Sequence, residues 1–123
     1  MHKIDFVVTL TAADNDPNNV TLALAMGKTA AEKGLKTELI LLSEAVRLGA
    51  KGYIDKIDIG APFKPAKELL EGFHKAGGKV KICTNCMEHN GVKEEDLIEG
   101  LEIINSEYVI DALIEADKSF QFN

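Results

Sequence analysis

Lys79-Val80-Lys81-Ile82-Cys83-Thr84-Asn85-Cys86-Met87-Glu88-His89-Asn90-Gly91 is the stretch whose reading decides the fold. Gly77-Gly78 stops whatever precedes it, and Lys79 to Ile82 then reads as a strand. The strand runs directly into a polar turn holding two cysteines three residues apart. A strand that breaks into a functional turn at its carboxyl end is the mark of an α/β sheet. The flanking sequence extends the same alternation in both directions.

On the N-terminal side, Ile4 to Leu10 is apolar and β-branched and predicts a buried first strand. Thr11 to Pro17 is turn-rich, and Asn18 and Asn19 are expected to cap a helix carrying Val20, Ala23, Leu24, Ala30 and Ala31, with Gly34 at its C-terminal end. Thr37 to Leu42 is a second strand. Ser43 is placed to cap a short helix over 44–48, which Gly49 and Gly52 end. Tyr53 to Pro65 is irregular. Pro65 suits the first turn of a helix over Ala66 to Ala76, with Leu69, Leu70 and Phe73 inward.

On the C-terminal side, a short helix is predicted at about Lys93 to Glu99, then a fourth strand over Leu101 to Ile104. Ser106 is expected to cap a last helix over about 107–117, with Val109, Ile110, Leu113 and Ala116 facing in. The tail, Ser119 to Asn123, has the character of a short fifth strand. Strands alternating with helices imply one α/β domain over 1–123: a mostly parallel sheet of four to five strands with helices on both faces and right-handed crossovers.

Composition excludes several classes. A chain of 123 residues that is 46% hydrophobic can bury a core without disulfide staples. The net charge of −6 and the lack of a basic cluster argue against nucleic acid as a partner. The longest aliphatic run, Leu39 to Leu42, is far short of a membrane span, and the N-terminus lacks the apolar core of a signal peptide. A cytoplasmic location is expected, and no cofactor is implied.

Two cysteines three apart do not make a disulfide framework; the spacing points to redox chemistry, sulfur handling or a metal. A cysteine at a helix start gains thiolate character from the free N–H groups and the helix dipole. With Cys83 at the cap, Cys86 falls one turn on, so that one thiol can attack and the other resolve. The competing reading for Cys86 is packing beside Met87.

A zinc site could draw on Cys83, Cys86 and His89, but four ligands are required for a closed site, and His2 and His74 lie in other elements. No metal is therefore expected. His89, if protonated, would favour a Cys83 thiolate, whereas Glu88 would oppose it. Thr84, Asn85 and His89 are supporting candidates from the turn itself. Asn15 and Ser43 join them because they follow other strands on the same edge of the sheet.

Other motifs fail. Thioredoxin-type proteins place C-x-x-C at a helix start, but too little chain follows Cys86 to finish that fold. Gly27-Lys28-Thr29 lies inside the first predicted helix and is not a phosphate-binding loop, and no G-x-S-x-G elbow is present. Asp14 and Asp16 read as loop residues.

The pattern resembles the DsrE/DsrF-like family of small sulfur-relay proteins. The resemblance spans nearly the whole chain and rests on "AAEKGLKTELILL", "AKELLEGFHKAGGKVKIC", "CTNCMEHNGV" and "EEDLIEGLEII", with Gly91 eight residues after Cys83. It implies a three-layer sandwich in which Cys83 accepts and donates a persulfide sulfur, acting as a sulfurtransferase-type carrier. It also implies a homo-oligomer, trimer or hexamer, with sulfur donor and acceptor proteins as partners. Relay members often carry a basic residue before the glycine, where this chain has Asn90. Two other functions fit the residues: a dithiol switch using Cys83 and Cys86, and an oligomeric binding module without thiol chemistry. Ile57 to Phe63 is a candidate subunit contact, or a lid over Cys83.

Overall fold

The structure, a computed structural model, describes residues 3–123; His2, one of the histidines weighed above, lies outside them. Five strands form one all-parallel sheet: β1 (Phe6–Leu10), β2 (Thr37–Leu41), β3 (Lys79–Cys83), β4 (Leu101–Ile104) and β5 (Lys118–Phe122), in the order β4-β3-β2-β1-β5. The helices are α1 (Pro17–Glu32), α2 (Ala66–Lys75), α3 (Thr84–Asn90) and α4 (Ser106–Glu115).

Side chains alternate across each strand, so neighbouring strands in register sort their residues into two clusters. Val8, Leu10, Leu39, Leu41, Val80 and Ile82 point to the face covered by α1 and α2. Val7, Ile40, Cys83 and Ile104 point the other way, where Val109 and Ala112 of α4 meet them. The chain steps from β1 to β4 with its connections on the first face, then returns to β5 through α4 on the second. A reversal of direction accompanied by a change of face keeps one handedness throughout, as parallel crossovers require.

The first face carries most of the apolar burial. Leu69, Leu70 and Phe73 line the inner side of α2, and Phe73 is almost wholly buried. Each such side chain contributes about 1.5–3 kcal/mol through burial. Gly78 is required here, because a Cβ at that position would lie 2.2 Å from the Phe73 ring.

Several local expectations are corrected. Helix α1 is capped by Asp16, whose Oδ1 accepts from the Asn19 N–H at 3.1 Å, and not by Asn18 or Asn19. Pro17 at the first helical position has no N–H to leave unsatisfied, which favours that earlier start. Helix α4 is capped by Asn105, accepting from the Tyr108 N–H at 2.9 Å, one residue before Ser106. Ile110 is exposed; Ala112 occupies the inward position, and Leu113 and Ala116 are half-buried. The helix expected over Lys93 to Glu99 is only a 3₁₀ turn, Glu94–Asp96. The Ile98 N–H donates to the Gly49 carbonyl and Leu97 bridges Ala50, which pulls the chain out of helical geometry before β4. Ile57 is buried in the first-face cluster, whereas Cys83 belongs to the second.

Candidate functional site

Strand β3 ends on Cys83, which is also the N-cap residue of α3 with extended backbone angles. Cys86 is the third residue of that helix, so both sulfurs come from a single turn of chain. Gly91 closes the helix with φ +72°, a left-handed conformation that favours glycine. With only seven residues, α3 has a weak macrodipole, and the surroundings of the thiols matter more.

Those surroundings differ. Both cysteines are free thiols. Cys83 is buried, 6% exposed, in the cluster that includes Ile40, Ile104, Val109 and Ala112. Cys86 is half-buried and packs against both apolar clusters. Burial pushes the Cys86 thiol above its ordinary value, and the neighbouring Cys83 adds to the rise. A backbone hydrogen bond from Ser43 opposes it.

Ser43 contributes through its peptide. It was expected to cap a helix with its hydroxyl, but Leu42 holds the cap position without any side-chain bond, and Ser43 opens a 3₁₀ turn, Ser43–Gly49. Its φ is +54°, the one positive value at a non-glycine position among the described residues. Such a conformation costs on the order of 1 kcal/mol outside glycine and persists where the surroundings enforce it. Asn90 is the enforcing neighbour: its Nδ2 donates to the Ser43 carbonyl at 3.2 Å and to the Cys86 carbonyl at 2.8 Å. One side chain therefore clamps the Ser43 turn to the cysteine helix.

The remaining candidates are not joined to this arrangement by side-chain hydrogen bonds. Thr84 and Asn85 are exposed on the first turn of α3, and His89 is exposed near its far end. Asn15 spends its Oδ1 on the Ala13 N–H at 2.8 Å, within its own loop. Among the described residues, no three His, Cys, Asp or Glu side chains converge as a metal site would need.

Sequence reasoning missed the clamp, since nothing in the spacing of Asn90 and Ser43 announces that they meet. It also missed a polar group on the second face of the sheet. There the Tyr108 hydroxyl donates to buried Glu38 at 2.7 Å, and Lys81 pairs with Glu102. Burial and the Glu38 carboxylate push the Tyr108 phenol well above its ordinary value. The signal was available: Glu38, Lys79 and Lys81 interrupt strands that a parallel sheet buries on both faces.

The family model for the DsrE/DsrF-like family matches residues 4–122. The chain belongs to the DsrE/DsrF-like family. Its relatives include the uncharacterized protein MJ0989 of Methanocaldococcus jannaschii, 30% identical over 95% of this chain and 98% of the relative. The uncharacterized protein MK0008 of Methanopyrus kandleri is 29% identical over 94% of this chain and 91% of its own length. The fold matches the crystal structure of the ychN protein from E. coli with a TM-score of 0.72, covering 97% of this chain and 99% of that one at 24% identity. These matches establish the all-parallel α/β sandwich as that of the DsrE-like family. No described helix is long and apolar enough to cross a membrane.

Proposed function

We propose that this member of the DsrE/DsrF-like family is a sulfur-handling protein that carries a persulfide sulfur on Cys83. The observation that carries the reading is the pair of free thiols, Cys83 and Cys86, in the single turn that follows the carboxyl end of an interior strand. A Cys83 thiolate attacks the outer sulfur of a donor persulfide, R–S–SH. The new Cys83–S–SH bond forms as the donor's S–S bond breaks and R–S⁻ leaves. No net oxidation is needed, and delivery is the same exchange run towards an acceptor thiol. Burial of Cys83 supports the reading, because a sheltered persulfide is protected from stray thiols. Assembly as a homo-oligomer, trimer or hexamer, and exchange with donor and acceptor proteins belong to the same proposal.

Mass spectrometry after incubation with inorganic polysulfide tests it. Wild type is expected to gain sulfur atoms on Cys83, and the Cys83→Ser variant to lose that stable adduct. An unmodified wild type, or an undiminished adduct in Cys83→Ser, refutes the proposal.

The placement of two free thiols in one turn also favours a second reading, a dithiol that cycles through a Cys83–Cys86 disulfide. It requires a reversible loss of two hydrogens under mild oxidant, abolished by Cys86→Ser.

A further inference from the structure

We infer that Cys86 is the port through which sulfur reaches Cys83, and that Asn90 is the positioning residue that holds this port in place. The inference rests on the sulfur-carrying reading above and specifies the route within it.

Three observations carry it. First, Cys83 is 6% exposed and enclosed by a cluster from the sheet and α4, while Cys86 is the less buried thiol of the pair. Oligomer contacts can only cover Cys83 further. Thiol exchange depends on access of the attacking sulfur to the donor, so an incoming persulfide meets Cys86 first. Second, Cys83 caps α3 and Cys86 lies in its first turn, packed against the cluster that holds Cys83, which gives Cys86 a direct path inward. Third, the Asn90 clamp holds the left-handed Ser43 residue against the Cys86 turn of α3, where its backbone N–H opposes the rise in the Cys86 pKa. That N–H favours negative charge on Cys86, both when it attacks and when it departs.

The steps balance without oxidant or reductant. The Cys86 thiolate attacks the outer sulfur of R–S–SH, giving Cys86–S–SH and R–S⁻. The Cys83 sulfur then attacks the outer sulfur of Cys86–S–SH. A Cys83–S–SH bond forms, the Cys86 S–S bond breaks, and the Cys83 proton passes to the departing Cys86 sulfur.

The test is a time course of sulfur addition from inorganic polysulfide, resolved by peptide mass spectrometry, on the full chain. Cys86→Ser and Cys86→Ala are expected to load Cys83 about tenfold or more slowly, the more accessible partner being gone. Cys83→Ser is expected to show a transient adduct on Cys86. Wild-type loading together with equally fast loading of both Cys86 variants overturns the route but leaves the sulfur-carrying function standing. A wild type that takes up no sulfur overturns both.

Asn90→Ala keeps both thiols and supplies a readout that a merely structural residue would not move. Its pH midpoint for Cys86 alkylation should rise, while Ser43→Gly, which keeps the peptide N–H, should titrate as wild type. An unchanged midpoint in Asn90→Ala, with thermal unfolding showing a folded chain, overturns the positioning role.

Discussion

The two faces of the sheet are built on different chemistry. The face under α1 and α2 is a continuous aliphatic and aromatic layer centred on Phe73, drawn from β1, β2 and β3 alike. The opposite face has α4 as its helical cover, and it holds Cys83 together with buried Glu38 and Lys81. An apolar layer is non-directional and tolerates small shifts, whereas buried polar groups demand specific partners. Stability is therefore concentrated on one side, and the Cys83 thiol sits on the side where contacts are few and directional. The sulfur carriage proposed for Cys83 would be better served there than inside a close-packed core.

Single substitutions put that contrast to the test. The largest effect is expected from Phe73→Ala, which opens a cavity in the first face and should cost about 3–5 kcal/mol in denaturant unfolding. Tyr108→Phe on the second face removes the hydrogen bond to Glu38 and should cost about 1–2 kcal/mol in the same measurement. Equal losses in the two variants would erase the distinction between the faces.

The smallest effect belongs to His74, at the end of α2. Its Nε2 is buried without a partner, and burial, helped by Lys79, lowers its pKa below the ordinary 6.5, against a backbone hydrogen bond to Gly78 that raises it. Because the folded state favours the neutral ring, its contribution to stability is fully present above pH 6.5 and is lost as the pH falls below that value. His74→Phe should flatten the acid side of the stability–pH curve. An unchanged slope would show that His74 is not the group that titrates.

The contrast between faces also explains what the sequence disclosed. The first face was legible because its residues follow the periods of 2 and 3.6 that define strands and helices: Leu69, Leu70 and Phe73 were placed inward, and β4 was placed at Leu101–Ile104. Cys83 at the junction of β3 and α3, with Cys86 one turn on, was legible for the same reason. Helix caps were less so, since Asp16, Asn18 and Asn19 are all capable caps and the local hydrogen bond decides among them. Ile110 was misplaced because α4 lies on the sheet along Val109 and Ala112, a narrower stripe than the sequence of apolar residues offers. The Asn90–Ser43 clamp and the Tyr108–Glu38 bond were beyond reach. Each joins residues far apart in the chain by a single directional contact, which leaves no periodic trace.

Strand β5 has a consequence for how the chain is assembled. It lies beside β1, so Thr11 and Phe122, 111 positions apart, share a hydrogen bond between their ends. Until the segment Lys118–Phe122 docks, one flank of β1 is an open ribbon edge bearing Val7 and Val8, residues that are wholly buried in the finished fold. An open edge of that kind invites pairing with other chains. Closing it requires the most distant contact in the sheet, the type that forms slowly because so much chain must first be ordered. Ribosomal synthesis thus delivers the guard for the first strand only with the final residues of the sheet. A chain cut short before Lys118 would present its oldest strand as its stickiest.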